Sequence, residues 1–194
     1  MLFRHEFLEV MIRIANAKYR EELGCASSYS EALEMMLKDI CEKFVKHPWQ
    51  EFRDELLWSN KIDNLYKANN DSLVNIHEEL FPKYSSDGVK RCIDLVCKYS
   101  KVQLSEKETR FAFGMSKMTV RDEVANHHEY DKLRYPEFLE FIGRIAHTKY
   151  FEDQETPFFE KVEYTLDDIL PVYGFKRIRP DVKELEDETS DESL

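Results

Sequence analysis

Large apolar residues recur at helical spacing along most of this chain of 194 residues. After Glu137, the positions i, i+3, i+4 and i+7 are occupied by Phe138, Phe141, Ile142 and Ile145. That spacing places the four side chains on one face of an α-helix. An all-α fold is therefore predicted, with further helices over residues 1–23, 30–46, 73–84, 89–99, 105–115 and 156–170 and one that opens at Pro48 and Trp49.

The helix at residues 133–150 has a second copy at residues 2–19. With an offset of 131, ten of the eighteen positions are identical, among them Glu6/Glu137 and Phe7/Phe138. The apolar positions of the first copy are Phe7, Val10, Met11 and Ile14. The helix at 30–46 matches 156–170 at an offset of 129. The repeated unit is thus an amphipathic helix together with the linker helix that follows it.

The first copy has no helical unit ahead of it, whereas the second follows several helices. Two interpretations fit this asymmetry: the protein begins in the middle of a module, or the chain is a piece of a longer tandem array. We favour the array, because half of a repeat by itself leaves an apolar face without a partner.

Composition and charge narrow the class of protein. The chain is 42% apolar and 35% charged, and its net charge is −11. Residues 181–194 carry seven acidic residues and one lysine, which predicts a disordered acidic tail. This balance argues against nucleic acid as a partner. We expect no membrane span, because no run of about 18 apolar residues occurs, and no secretion, because the N-terminus lacks a signal-peptide pattern.

The start of the repeated helix carries a more specific pattern. Leu133 precedes Glu137 by four residues, and Phe138 follows the glutamate directly. This order resembles the passage of an EF-hand from its loop into its second helix. In that family the aliphatic residue is loop position 8 and the glutamate is position 12, which binds calcium through both carboxylate oxygens.

The remaining loop positions depart from the EF-hand pattern. Counting back from Glu137 makes Asn126 position 1, His128 position 3 and Tyr130 position 5, while Asp131 stands where the family has glycine. These side chains are poor calcium ligands, so we expect neither calcium nor another cofactor to bind. If a metal did bind, its ligands would be Asn126, His128, Tyr130 and Glu137. Without a metal, the presence of Glu137 is explained by its position in the first turn of the helix, where a carboxylate meets the positive end of the helix dipole.

The resemblance also sets the expected organisation. Helices 73–84 and 89–99 form one degenerate hand, and helices 105–115 and 136–150 form a second, with an enlarged loop between them. The expected segments are an exit helix with its linker helix, a paired EF-hand-like module, a second linker helix and the acidic tail, over residues 1–47, 48–152, 153–180 and 181–194.

Three segments are similar to large, multi-module EF-hand-like proteins of ciliated and flagellated protists. They are residues 104–108, 116–120 and 135–146. The resemblance implies a cytoplasmic, cytoskeletal setting, namely the axoneme of a cilium or flagellum, with the helical modules acting as interaction surfaces.

The leading hypothesis is a non-enzymatic protein–protein interaction or scaffold module. Paired hands would enclose an apolar cleft for an amphipathic helix of a partner, or a linker helix of the same chain would fill it. Aromatic residues at helical spacing, here Phe52 and Tyr66 with the tryptophans Trp49 and Trp58, are more often core residues than exposed anchors for a partner. The alternatives are a calcium sensor with unconventional ligands and, more distantly, a metal-dependent enzyme based on His127, His128 and Glu129, although these lack a metalloprotease spacing. The interaction candidates are Trp49, Phe52, Trp58, Phe138, Phe141 and Ile145.

Overall fold

A computed structural model describes residues 3–41, 49–84 and 86–180. All regular secondary structure in these ranges is helical, which confirms the all-α prediction. None of the described helices is long and apolar enough to cross a bilayer. The predicted tail over residues 181–194, and residues 42–47 of the first linker helix, lie outside the described residues.

The described ranges contain ten α-helices. They are α1 (Arg4–Ala15), α2 (Tyr29–Met36), α3 (Trp49–Glu51), α4 (Asn60–Ala68), α5 (Asn70–Leu80), α6 (Gly88–Asp94), α7 (Glu106–Ser116), α8 (Glu123–Asn126), α9 (Tyr135–Lys149) and α10 (Phe158–Ile169). Several of them continue as wider π-helical turns, at Asn16–Glu22, Leu37–Cys41, Phe52–Leu57 and Leu95–Tyr99. Two 3₁₀ segments, His127–Asp131 and Leu170–Tyr173, complete the order.

The chain divides into two compact units. The first comprises Met1–Pro48 and Arg121–His127, and within it α1 and α2 pack around a small apolar cluster of Ala15, Tyr19, Ala26, Ala32 and Met36. The hydroxyl of Tyr19 donates a hydrogen bond to Asp39 over 2.8 Å. Gly24, with φ of 62°, lies between the two helices, in the left-handed region that glycine enters without steric cost.

The second unit comprises Trp49–Val120 and His128–Leu194, and α9 is its central helix. The buried face of α9 packs against α7 and α10, with additional contacts from α5. Aromatic rings meet edge to face in this core, as Phe113 and Phe141 do, with centroids 6.0 Å apart. Burial of this apolar area is the main force holding the unit together.

Local sequence signals account for several helix boundaries. Ser105 accepts a hydrogen bond from the backbone N–H of Glu108, and the Glu108 carboxylate accepts one from the N–H of Ser105. This reciprocal pair is a capping box, as the sequence predicts for the start of α7. Pro136 lies in the first turn of α9, where its missing N–H costs nothing.

Two predicted boundaries are wrong. The helix predicted from Pro48 onward is interrupted at Trp58, because Ser59 caps a new helix through the N–H of Ile62. The turn predicted over residues 69–72 is shorter than expected, because it consists of Asn69 alone. Helix α5 starts at Asn70, directly after the buried Asn69, whose side chain bonds to the carbonyl of Leu65 and to residue 178.

Candidate functional site

Glu137, the residue that the sequence compares with the last ligand of an EF-hand loop, is buried at the start of α9. Its carboxylate accepts backbone hydrogen bonds from Arg134 over 2.6 Å and from Met118 over 2.8 Å. The ammonium group of Lys117 lies 2.8 Å from one oxygen of Glu137 and 3.1 Å from the other. Both carboxylate oxygens are therefore engaged by donors of the protein itself.

The Lys117–Glu137 pair is almost fully removed from water. The two side chains are 7% and 2% exposed, so each buried charge depends on the other for compensation. In a working EF-hand the position-12 carboxylate holds calcium through both oxygens. Here a tethered ammonium faces both oxygens of the corresponding glutamate. The cation that neutralises Glu137 is part of the chain.

The other predicted metal ligands lie elsewhere in the loop. Asn126 ends α8, and His128 and Tyr130 belong to the 3₁₀ segment that follows. The Nε2 atom of His128 is 3.5 Å from a carboxylate oxygen of Glu129. In the described ranges, no three histidine, cysteine, aspartate or glutamate side chains converge in a metal-binding arrangement.

A second buried carboxylate lies one turn further along α9. Glu140 pairs with Arg144 over 2.8 Å and with Arg53 over 2.9 Å. The guanidinium of Arg144 also stacks on Phe52, 4.5 Å from the ring centroid. Burial lowers the pKa of Arg144, and its hydrogen bond to Glu140 opposes that shift. This cluster joins α9 to the segment after α3.

Sequence reasoning did not identify His77, which links α5 to the start of α9. Its Nε2 atom is 2.8 Å from the carbonyl oxygen of Leu133, so Nε2 carries the proton. The ring packs against Phe81, Tyr135 and Phe138. No local motif marks His77, because its partner lies 56 residues away.

Two of the loops of the second unit, the one ahead of α6 and the one ahead of α9, meet at Gly88. A side chain at this position would overlap the carbonyl oxygen of Asp131 and the ring of Phe81. The loop ahead of α6 therefore approaches the loop ahead of α9 at backbone distance. Glycine permits this approach because it lacks a Cβ atom.

The predicted interaction residues occupy different environments. Phe52, Phe138, Phe141 and Ile145 are buried, while Trp58 is exposed. Trp49 begins α3, and its side chain lies outside the described part of the chain. The four buried residues are core residues and do not line an open cleft.

The helix predicted over residues 156–170 belongs to the same core. Helix α10 packs against α9 and buries Val162, Leu166 and Ile169 in the same core. Arg177 holds Asp167 through two hydrogen bonds, of 2.9 and 3.0 Å, and also contacts Glu163. Helix α10 and the segment that follows it are therefore part of the packed second unit.

Comparison with known proteins adds no relative. No protein-family model, no curated protein and no solved structure matches the chain.

Proposed function

We propose that this protein is a non-enzymatic interaction or scaffold module whose EF-hand-like second unit is organised by an internal ion pair in place of calcium. The contact of Lys117 with both carboxylate oxygens of Glu137 carries this proposal. A covalently tethered ammonium is present at every calcium concentration. A module of this kind presents its surfaces constantly and does not switch them.

The physical reason lies in the competition for Glu137. Calcium would have to displace Lys117 from the carboxylate and leave its ammonium buried without a partner, which costs several kcal/mol. The loop offers His128 and Tyr130 where carboxylates would be needed to offset that cost. A ligand shifts a conformational equilibrium only through its differential affinity for the two states. Calcium would have little extra affinity for the state in which Lys117 is displaced.

The cellular setting is also part of the proposal. We place the module in the cytoplasm, in the cytoskeleton of cilia or flagella, with a protein partner. This rests on the similarity of residues 104–108, 116–120 and 135–146 to EF-hand-like proteins of ciliated and flagellated protists.

Calcium titration of the full chain tests the central claim. We expect no stoichiometric heat in calorimetry and no change in melting temperature at millimolar calcium. A response at micromolar calcium that is abolished by Glu137→Gln, but unchanged in the control variant Glu129→Gln, would establish a calcium sensor and overturn the proposal.

A further inference from the structure

The two copies of the repeated helix have opposite exposure. Phe138 and Ile145 on α9 are 1% and 0% exposed, whereas Phe7 and Ile14, their counterparts on α1, are each 50% exposed. Val10 on α1 is exposed as well. The sequence predicts the same buried face for both copies, and this prediction is wrong for the first. We call Phe7, Val10 and Ile14 the α1 stripe.

Part of the opposite side of α1 is already covered, although Leu8 and Ile12 on that side are 54% and 39% exposed. Ala15 and the following Tyr19 are buried against α2, and Met11 packs at the edge of the same cluster. The α1 stripe points away from that cluster, because its residues follow a separate i, i+3, i+7 line on the helix. In the second copy, the equivalent line meets Phe81 and Phe113. An apolar stripe of this kind is typical of a helix that pairs with another helix.

The α1 helix of one copy does not fit the place that α9 occupies in the second unit of another copy. Ile12 stands where α9 has Gly143, and a Cβ atom at position 143 would overlap Leu57. Val10 stands where α9 has Phe141, so it would leave space beside the core aromatic rings. Exchange of α1 for α9 between copies is therefore disfavoured by both overlap and cavity.

The charges beside the α1 stripe are complementary to the same charges on a second, antiparallel α1 helix. Glu6 and Arg13 flank the stripe on the same side, seven residues apart. When two α1 helices pack antiparallel about a two-fold axis near Val10, Glu6 of each copy comes opposite Arg13 of the other. Arg13 also bonds to Glu9 of its own helix, but a guanidinium has five N–H donors. The symmetric pair thus gains two ion pairs at its rim.

We infer that the α1 stripe is a self-association surface, on which the α1 helix of a second copy of this chain packs antiparallel. The stripes of the two copies interdigitate, and the Glu6–Arg13 pairs set the direction and register. This inference deepens the proposed function by naming a partner. A calcium response would defeat the proposed function and leave dimerisation intact, and a strictly monomeric chain would do the reverse.

Sedimentation equilibrium on the full chain tests the inference. We expect a reversible dimer whose dissociation constant lies between about 10 µM and 1 mM, as suits a small interface. Glu6→Lys and Arg13→Glu, made separately, each place like charges opposite one another twice. Each variant alone should dimerise about tenfold more weakly.

Mixing the two variants is the decisive step. In a mixed antiparallel pair, the positive charge introduced at position 6 of one copy faces the negative charge introduced at position 13 of the other. The second rim pair is the native one, Arg13 opposite Glu6, so the mixture should recover wild-type association. Circular dichroism confirms that each variant keeps its helices. The matched control is the pair Glu34→Lys and Lys38→Glu, an exposed ion pair between α2 and the π-helical turn that follows it, and this control should leave association unchanged.

Three outcomes would overturn the inference. One is a wild-type chain that is monomeric up to about 1 mM. The second is a dimer insensitive to both α1 variants. The third is a mixture of the variants that remains as weak as its components, which would indicate a parallel pair or a different partner surface.

Discussion

Gly143 of α9 lies directly against Leu57, and a Cβ atom at position 143 would overlap the Cδ1 atom of the leucine. Leu57 is fully buried, and Phe52 and Tyr66 adjoin the same spot. The segment after α3 and the central helix therefore approach each other only because position 143 has no side chain. The corresponding position of α1 is Ile12, whose side chain would not fit this contact.

Gly143→Ala should lower the free energy of unfolding by about 1 to 3 kcal/mol, because overlap with a buried side chain outweighs the better helix propensity of alanine. The matched control is Gly114→Ala on α7, where an added Cβ meets nothing within 4 Å. That control should stabilise the protein by about 0.5 to 1 kcal/mol. Urea unfolding of both variants gives the comparison, and equal effects would contradict the packing argument.

The same contact predicts coupling between the two positions. Leu57→Ala alone should cost about 2 to 5 kcal/mol through the cavity it leaves. With Leu57→Ala already present, Gly143→Ala should cost less than it does in the wild type, since the new methyl group enters that cavity. A double-mutant cycle measures the difference, and strict additivity of the two effects would disprove direct contact.

Lys117→Met should destabilise the second unit by about 3 to 5 kcal/mol, because it leaves the Glu137 carboxylate buried without its counter-charge. Adding Glu137→Gln should recover part of the loss, since a neutral amide can still accept the Met118 hydrogen bond. The control is Lys67→Met, which breaks the exposed pair with Asp63 and should cost less than about 1 kcal/mol. Chemical denaturation followed by circular dichroism measures all three.

The second unit should lose stability on mild acidification through His147. Burial lowers the pKa of His147, and the charges of Lys161 and Arg144 lower it further. As pH falls, the unfolded chain therefore binds a proton at His147 before the folded chain does. The stability contributed by neutral His147 is fully present above the unfolded pKa of about 6.5 and is lost as pH falls through the folded pKa. His147→Phe keeps an aromatic ring against Phe52.

Unfolding free energies measured between about pH 7.5 and pH 5 would show the effect. The wild type should weaken more steeply than His147→Phe over this interval. Parallel curves for the two proteins would rule out His147 as the cause.

Asn69 should control the segment that follows the last helix. Its side-chain amide donates to the carbonyl of Ile178 over 2.8 Å, and its oxygen accepts from the N–H of Ile178 over 2.7 Å. Asn69→Ala removes both hydrogen bonds and should cost about 1 to 3 kcal/mol, because the side chain of Asn69 is buried and the N–H and C=O of Ile178 lose their partner.

Hydrogen exchange at the Ile178 amide provides the local measurement. Exchange should accelerate in Asn69→Ala and stay unchanged in Asn75→Ala, which removes only an exposed bond to Asp71 on the same helix. Global unfolding of the control should change by less than about 0.5 kcal/mol. Unchanged protection of Ile178 in Asn69→Ala would show that other contacts hold the segment.

The helices themselves follow from local sequence. The 3.6-residue period of α9, the capping box of Ser105 and Glu108, and the repeat of residues 2–19 at 133–150 can all be recognised without coordinates. The helical period and the capping box are decided by neighbours within a few residues, through backbone hydrogen bonds and side-chain spacing, and the repeat is visible as identity between two segments of the sequence. The turn predicted at residues 69–72 is confined to Asn69, and the bond that this residue makes 109 residues away is contained in no local pattern.

Burial and pairing were decided only by the tertiary structure. Phe7 and Phe138 stand in nearly the same local sequence, yet one is half exposed and the other is buried, because burial depends on which helices pack against the residue. Likewise, the sequence marks Glu137 as an EF-hand-like carboxylate, but only the folded chain brings Lys117 against it. Helical period is a property of a segment, whereas the partner of a side chain is a property of the whole packed unit.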